Sequence, residues 1–302
     1  MKPILFALPG NEAMGAELCR LRGWEAGDWE VRSFPDGETH IRYLSEVAGR
    51  EVILVCSLDR PNARVVPLYL AAGVARELGA RRIGLVVPYL AYMRQDARFH
   101  SGEGVTARHF AGLLGRAGDW LVTVDPHLHR IHRLDEIYGI PSRVVAAAPA
   151  IAAWVVEHVG QPLLIGPDEE SEQWVAQVAA AADCPYTVLR KVRRGDRDVS
   201  VSAPELAGWR ERTPVLVDDI ASTARTLIAA VGRLREAGMP PPVCVAVHPL
   251  FVGEAYAELL AAGVAEVACT DTIAHRCSRI GMAAAIGDAA DALSACCDGV
   301  GI

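Results

Sequence analysis

Pro214-Val215-Leu216-Val217-Asp218-Asp219-Ile220-Ala221-Ser222-Thr223-Ala224-Arg225-Thr226-Leu227 decides how the chain is read. A continuous apolar run leads into two adjacent carboxylates, then a hydroxyl-rich turn, then apolar positions at helical spacing. Strands that are apolar throughout belong to parallel sheets covered on both faces. The acids therefore fall at the carboxyl end of a buried strand, where open α/β sheets place their ligands. Free amide groups and the positive dipole end at the start of the following helix suit a phosphate, helped by Ser222, Thr223 and Thr226. Asp218 and Asp219 could hold sugar hydroxyls or a metal. An ordinary strand–helix junction capped by Ser222 or Thr223 is the alternative; the acid pair at the strand end favours a phosphate-sugar site.

Outward from this segment the same alternation continues. Short apolar runs at 52–56, 82–87, 120–124, 163–165, 186–189, 215–217, 243–247 and 266–269 read as strands. Helical spacing occupies 65–78, 106–115, 148–159, 172–182, 226–237 and 254–262. Strands separated by helices indicate βαβ units around a parallel sheet. The pattern occurs twice, with a seam near 141–149, and both halves carry a strand ending in acid: Val124-Asp125 and Val217-Asp218-Asp219. The expectation is two similar α/β domains, each a mainly parallel sheet flanked by helices. The polar stretch 190–203 reads as a charged loop beside a site.

Composition removes several classes. With 302 residues, 51% hydrophobic and 22% charged, the chain is globular and long enough to bury a core unaided. A net charge of -7 argues against a general nucleic-acid binder, whose footprint is basic. The apolar stretch 144–156 contains Pro149 and is shorter than a membrane span. The run 4–8 ends at Pro9-Gly10, too short for a secretory signal. Eight cysteines without C-x-x-C spacing read as reduced thiols of a cytoplasmic protein.

Further clusters carry chemistry. Asp125, His127, His129, Arg130, His132 and Arg133 read as a zinc site, a substrate or Mg²⁺ site, or partly exposed histidines on a helix. Arg94, Gln95, Asp96 and Arg98 follow another strand end, and arginine forks fit phosphate oxygens; the alternative is a solvated charged loop. Phe34 is either a base-stacking ring or a core residue. All 30 basic residues are arginine except Lys2 and Lys191, so Lys191 invites a chemical explanation. A flexible lysine can follow phosphate oxygens into a transition state. There is no Walker A lysine loop.

The 214–227 segment resembles the phosphoribosyl-diphosphate fingerprint of the phosphoribosyltransferase fold. With Phe34-Pro35-Asp36-Gly37-Glu38, Pro88-Tyr89-Leu90-Ala91-Tyr92-Met93-Arg94-Gln95-Asp96, Val124-Asp125-Pro126-His127, Lys191-Val192-Arg193 and His248-Pro249-Leu250-Phe251, the chain is similar to the ribose-phosphate diphosphokinases (phosphoribosyl diphosphate synthetases). These motifs keep the family's order and span almost the whole chain. The resemblance implies two phosphoribosyltransferase-like domains: 1–145 on the nucleotide side, and 146–302 on the ribose 5-phosphate side, with the last segment returning to the first. It implies transfer of the diphosphoryl group of Mg–ATP to O1 of ribose 5-phosphate, giving 5-phosphoribosyl 1-diphosphate and AMP.

By the same resemblance, Phe34 lies in the adenine pocket, with Asp36, Gly37 and Glu38 in the same ATP-binding loop and Asp36 and Glu38 of an adjacent subunit meeting the base. Arg94 and Gln95 contact nucleotide phosphates, and His127 and Asp168 place Mg²⁺. Lys191 and Arg193 form the catalytic loop. Asp218 and Asp219 hold the ribose, while Ser222, Thr223, Ala224, Arg225 and Thr226 cradle the 5-phosphate. A homo-oligomer, dimer or hexamer, follows. Two positions depart from the family. Gly166-Pro167-Asp168-Glu169-Glu170-Ser171 replaces the glycines of an Asp-x-Gly-Gly diphosphate turn, and its carboxylates repel diphosphate unless Mg²⁺ intervenes. Arg225 stands where glycine is usual, adding a phosphate contact or crowding the pocket. Two other readings remain: a non-catalytic nucleotide or sugar-phosphate binding subunit, and a phosphoribosyltransferase that consumes the activated sugar.

Overall fold

The computed structural model describes residues 2–189, 192–194, 198–200 and 206–298. Their contacts divide the chain into two units: the first combines residues up to 146 with those from 282 on, and the second is 147–281.

The first unit contains β1 (Ile4–Ala7), α1 (Glu12–Arg22), β2 (Glu25–Ala26), β3 (Trp29–Ser33), β4 (Thr39–Tyr43), β5 (Glu51–Val55), α2 (Pro61–Glu77), β6 (Arg82–Val86), α3 (Thr106–Ala117), β7 (Trp120–Val124) and β8 (Ser142–Val145). Its sheet runs β2-β1-β5-β6-β7-β8, every pair parallel. Both β5 and β7 are buried along their whole length, as strands that are apolar but for Glu51 and Thr123 require. Strands β3 and β4 form a separate antiparallel ribbon. It is held to the sheet by the ring cluster of Phe6, Trp29 and Tyr43, and Tyr43 donates to the Ala71 carbonyl of α2 at 2.8 Å.

The second unit contains α4 (Ala148–His158), β9 (Pro162–Gly166), α5 (Glu172–Ala182), β10 (Tyr186–Val188), β11 (Val192–Arg194), β12 (Asp198–Ser200), β13 (Thr213–Ala221), α6 (Arg225–Glu236), β14 (Val243–Pro249), α7 (Ala255–Ala261), β15 (Glu266–Thr270) and β16 (Ser278–Ile280). The sheet order is β10-β9-β13-β14-β15-β16, again parallel throughout. An antiparallel pair, β11 with β12, stands in the chain where β3 and β4 stand in the first unit. The two sheets thus share one topology. Strand order reverses at β1/β5 in one and β9/β13 in the other, and such a reversal opens a crevice beyond the carboxyl ends of the strands.

Helix α8 (Ala283–Asp298) belongs to the first unit through long-range polar contacts. Arg22 pairs with Asp288 at 2.6 Å and with Asp291. Ser294 donates to the buried Glu51, which also accepts from the Trp120 indole at 2.9 Å, and Arg82 donates to the Ser294 carbonyl at 3.0 Å. These bonds satisfy a carboxylate that would otherwise be costly to bury.

Candidate active site

In the second unit the crevice lies between the ends of β9 and β13. Asp218 and Asp219 extend from the last turns of β13, half-buried, and the Asp219 amide donates to Asp218 Oδ1 at 3.0 Å. Burial, the neighbouring Asp219 and then Asp168 push the Asp218 carboxyl well above the ordinary carboxylate range. Asp168 acts on Asp218 across the gap between the two strand ends, so three carboxylates face one crevice.

The turn 221–224 that follows is braced from the β14 side. Phe251 donates its amide to the Ala221 carbonyl at 2.8 Å, and Val252 donates to Ser222 at 3.1 Å. Ala224 is the N-cap of α6 with φ 55°, a left-handed conformation costly for a residue with a Cβ. Phe251 also has positive φ, at 22°. Backbone strain of this kind persists where the surroundings over-determine it, often at ligand clamps. No side chain caps α6, which leaves its first-turn amides without a side-chain partner, and Thr223 and Thr226 beside them are exposed. Arg225 is exposed on that turn, and the residue held in the glycine-favouring conformation is its neighbour Ala224.

The turn after β9 is built differently from a glycine loop. Asp168 Oδ1 accepts the amides of Glu170 and Ser171 at 3.1 and 3.2 Å, while Ser171 Oγ donates to the Asp168 carbonyl at 2.6 Å. Ser171 is buried, and its Oγ occupies the space beside Gly166, where a Cβ would come within 2.6 Å. Amides that would point at an anion in a glycine turn are thus taken by the chain's own carboxylate. Both bonds fall on Oδ1 of Asp168.

In the first unit, two adjacent strand ends converge. Asp96 is 8% exposed and receives the Arg130 amide at 2.9 Å and its guanidinium at 3.1 Å. Arg130 also lies over the Phe99 ring at 5.1 Å. The loop bearing Arg94 and Gln95 is thereby tied to the loop bearing His127. Gln95 accepts from the Thr106 hydroxyl at 2.7 Å at the start of α3, and Arg94 is exposed. His127 stacks on His129 at 4.6 Å, and Asp125 is buried with φ 31°. The segment after β7 is a loop closed by a short 3-10 turn, Leu134–Glu136, and not the helix that one reading of the histidines required. Among the described residues no group of three or more His, Cys, Asp or Glu side chains is placed to hold a metal ion by itself, either at these histidines or at the acids of the second unit.

Phe34 is 39% exposed at the tip of the β3–β4 ribbon, which removes the core reading. Arg32 lies over its ring at 4.6 Å, Gly37 takes φ 94°, and Asp36 and Glu38 are exposed. Arg193 lies in β11, and Lys191 falls outside the described residues.

At the first unit's own reversal, between β1 and β5, a pocket lined by Leu8, Pro9, Arg32, Ser33 and Arg64 is bordered by cross-ties within the chain. Asn11 accepts the Ser57 amide at 2.8 Å, and Arg64, paired with Asp59 at 3.1 Å, donates to the Pro9 carbonyl at 3.2 Å. One topology therefore gives a braced hydroxyl turn with acids in one unit and a cross-tied turn in the other.

Comparison with known proteins decides the family. The pattern of the N-terminal domain of ribose phosphate pyrophosphokinase matches residues 3–118, and that of the phosphoribosyl transferase domain matches residues 134–283. The chain belongs to the ribose-phosphate pyrophosphokinase family. A ribose-phosphate pyrophosphokinase of Methanopyrus kandleri is 32% identical over 294 residues, covering 96% of this chain and 99% of the relative. One from Halobacterium salinarum is 34% identical over 290 residues, covering 95% and 100%. The crystal structure of a phosphoribosylpyrophosphate synthetase from Mycobacterium smegmatis shares the fold, with TM-score 0.84 at 21% identity over 99% of this chain and 100% of that one.

Proposed function

We propose that this chain transfers the diphosphoryl group of Mg–ATP to O1 of ribose 5-phosphate, forming 5-phosphoribosyl 1-diphosphate and AMP. One observation carries the reading: the β13 strand end presents paired carboxylates and an uncapped, braced hydroxyl turn at a sheet reversal, the arrangement a sugar phosphate needs. Membership of the ribose-phosphate pyrophosphokinase family supplies the reaction class.

Phosphoryl transfer depends on positioning and charge neutralisation more than on covalent chemistry. Ser222, Thr223, Ala224, Arg225 and Thr226 take the 5-phosphate on amides and hydroxyls, and Asp218 and Asp219 accept the ribose hydroxyls, fixing the direction of O1. On the nucleotide side Arg94 and Gln95 hold phosphate oxygens, and Phe34, with Asp36, Gly37 and Glu38, meets the adenine. Lys191 and Arg193 stabilise the negative charge that develops as AMP departs.

Carboxylate oxygens are the ligands Mg²⁺ prefers, and the mutual repulsion felt at Asp218 is what a divalent cation relieves. Asp168, with Oδ2 left over from its turn, fits that role, and His127 stands on the nucleotide unit with Arg94 and Gln95, where Mg–ATP would be met. When bound, Mg²⁺ neutralises phosphate charge. Exposed Val66, Tyr69 and Leu70 along α2 support a homo-oligomer, dimer or hexamer, and a ribbon tip such as Phe34 is suited to reach a neighbouring subunit. Eight free cysteines suit the reducing cytoplasm.

The test incubates the protein with Mg–ATP and ribose 5-phosphate and measures AMP. AMP forms only when both substrates are present, and Lys191→Ala abolishes it while ATP still binds. No AMP from the intact protein refutes the assignment in favour of a binding subunit. Unchanged turnover in Lys191→Ala removes that lysine from the mechanism.

A further inference from the structure

Three of the second unit's cysteines, Cys244, Cys269 and Cys277, sit in one buried core, and the proposed reaction uses none of them. Two of them share a hydrogen bond. Cys269 ends the regular part of β15, where the register with β16 shifts, and its amide donates to the Cys277 carbonyl at 2.8 Å. Cys277 immediately precedes β16 and Cys269 lies in β15, and such neighbouring strands are about 4.8 Å apart. That spacing is compatible with the Cα separation a disulfide tolerates, roughly 4.4–6.8 Å.

The Cys269 thiol neighbours that of Cys277, raising its own pKa and lowering the Cys277 thiol from its ordinary range. Cys277 Sγ lies 2.9 Å from His275 Nδ1. The Cys277 amide also points at Nδ1, at 3.3 Å, which makes that nitrogen an acceptor and lets Cys277 donate to it. Cys277 is 1% exposed, so only a small reagent can reach it. His275, half-buried, links it to solvent within an aromatic cluster with Phe251 and Tyr256, at 5.1 and 4.8 Å.

We infer that Cys269 and Cys277 form a hydroperoxide-sensitive dithiol, with His275 as proton acceptor and Cys277 as the attacking sulfur. The Cys277 proton passes to His275 Nδ1. The thiolate attacks one peroxide oxygen, the O–O bond breaks, and the departing hydroxide regains the proton as water. Cys269 sulfur then attacks the resulting sulfenic acid. An S–S bond forms, the S–O bond breaks, and the leaving hydroxide takes the Cys269 proton as a second water. Two thiols are oxidised to one disulfide, and hydrogen peroxide is reduced to two waters. The neighbouring Cys269 favours the Cys277 thiolate, and burial with the neighbouring Arg276 disfavours a permanently charged His275.

Closure of this bond acts on the phosphate turn. Phe251 packs against His275 and braces the Ala221 carbonyl, so moving the ring cluster disturbs residues 221–224. This second effect rests on the reading of that turn as the ribose 5-phosphate site; formation of the bond does not.

The experiment treats the full chain with hydrogen peroxide, alkylates remaining thiols and maps peptides, then repeats this after reduction. The expected result is a Cys269–Cys277 linked peptide lacking two hydrogens, reversed by reductant, lost in Cys269→Ser and Cys277→Ser, and retained in Cys244→Ser. His275→Phe slows its formation at least tenfold while the folded circular-dichroism signature is kept. A mapped sample in which only exposed Cys296 reacts, or in which Cys277 accumulates as sulfinic acid without linkage, overturns the proposal. Ribose 5-phosphate affinity falls several-fold in the linked form. If the bond forms and affinity is unchanged, the coupling to the turn is refuted and the dithiol stands.

Discussion

Replacing Asp96 with Asn tests whether the two nucleotide loops act as one unit. The carboxylate is buried, and its two bonds to Arg130 are unequal. The guanidinium is 59% exposed, so that bond is solvent-screened and contributes roughly 0.5 kcal/mol. The backbone amide bond at 2.9 Å is shielded and charge-assisted, contributing about 1.5 kcal/mol. Asn keeps one oxygen for the amide but, being uncharged, about halves that bond, and it turns an NH₂ toward the guanidinium, so the combined loss is about 1.3 kcal/mol, roughly a tenfold change in an equilibrium. If that loss falls on the arrangement of Arg94, Gln95 and His127, the KM for ATP rises up to about tenfold and the KM for ribose 5-phosphate stays unchanged.

The pH dependence has a definite sign. Burial alone would raise the Asp96 carboxyl, but the Arg130 amide and guanidinium outweigh it and hold the group below the ordinary range. A depressed folded value contributes stability that is fully present above the unfolded value of about 4 and disappears as pH falls through the folded one. Urea unfolding of both proteins therefore shows a constant difference at neutral pH that shrinks in acid. A pH-independent difference, or equal increases in both KM values, would refute the reasoning.

Asp168→Asn keeps a capping oxygen, since Asn caps as well as Asp, so stability changes by less than about 0.5 kcal/mol. Turnover falls at least tenfold and more Mg²⁺ is needed for half-maximal rate, which a titration of rate against Mg²⁺ reads directly. Ala224→Val places a β-branched residue at φ 55° and lowers unfolding free energy by about 2 kcal/mol. Ala224→Gly leaves it nearly unchanged, because relief of about 1 kcal/mol of strain offsets about 0.8 kcal/mol for the lost buried methyl; denaturant midpoints distinguish the two. Gly84→Ala puts a Cβ within 2.0 Å of the fully buried Trp120 ring and costs about 3 kcal/mol, seen as a lowered midpoint with substrate affinities intact.

The apolar strands were legible because burial on both faces leaves an unbroken hydrophobic signature, as at β5, β7, β13 and β14. Ribbon β3–β4 was not: Trp29-Glu30-Val31-Arg32-Ser33 is half-exposed, and its stability comes from Phe6 and α2. Helix α8 is not among the helical runs read from residue spacing, and only the resemblance returns the last segment to the first domain, because its anchors, Arg22 and Glu51, are more than 240 residues away. In the site, the acids and hydroxyls of 218–226 were visible as residue types at a strand end. The amides of Phe251 and Val252 that brace the turn carry no side-chain signal. Ser171 was visible as a departure from glycine, but its interlock with Asp168 required the turn's geometry. Asp96 stood beside Arg94 and Gln95 without a role until Arg130 was placed on it. Arg225 drew attention as a bulky replacement, whereas the strain resides in Ala224.

Calorimetric titration of ribose 5-phosphate into the intact protein and into Asp219→Asn, without nucleotide, bears most directly on the β13 strand end as the sugar-phosphate site. The account predicts at least tenfold weaker binding in the variant with ATP affinity preserved. Equal ribose 5-phosphate affinities in the two proteins would contradict it.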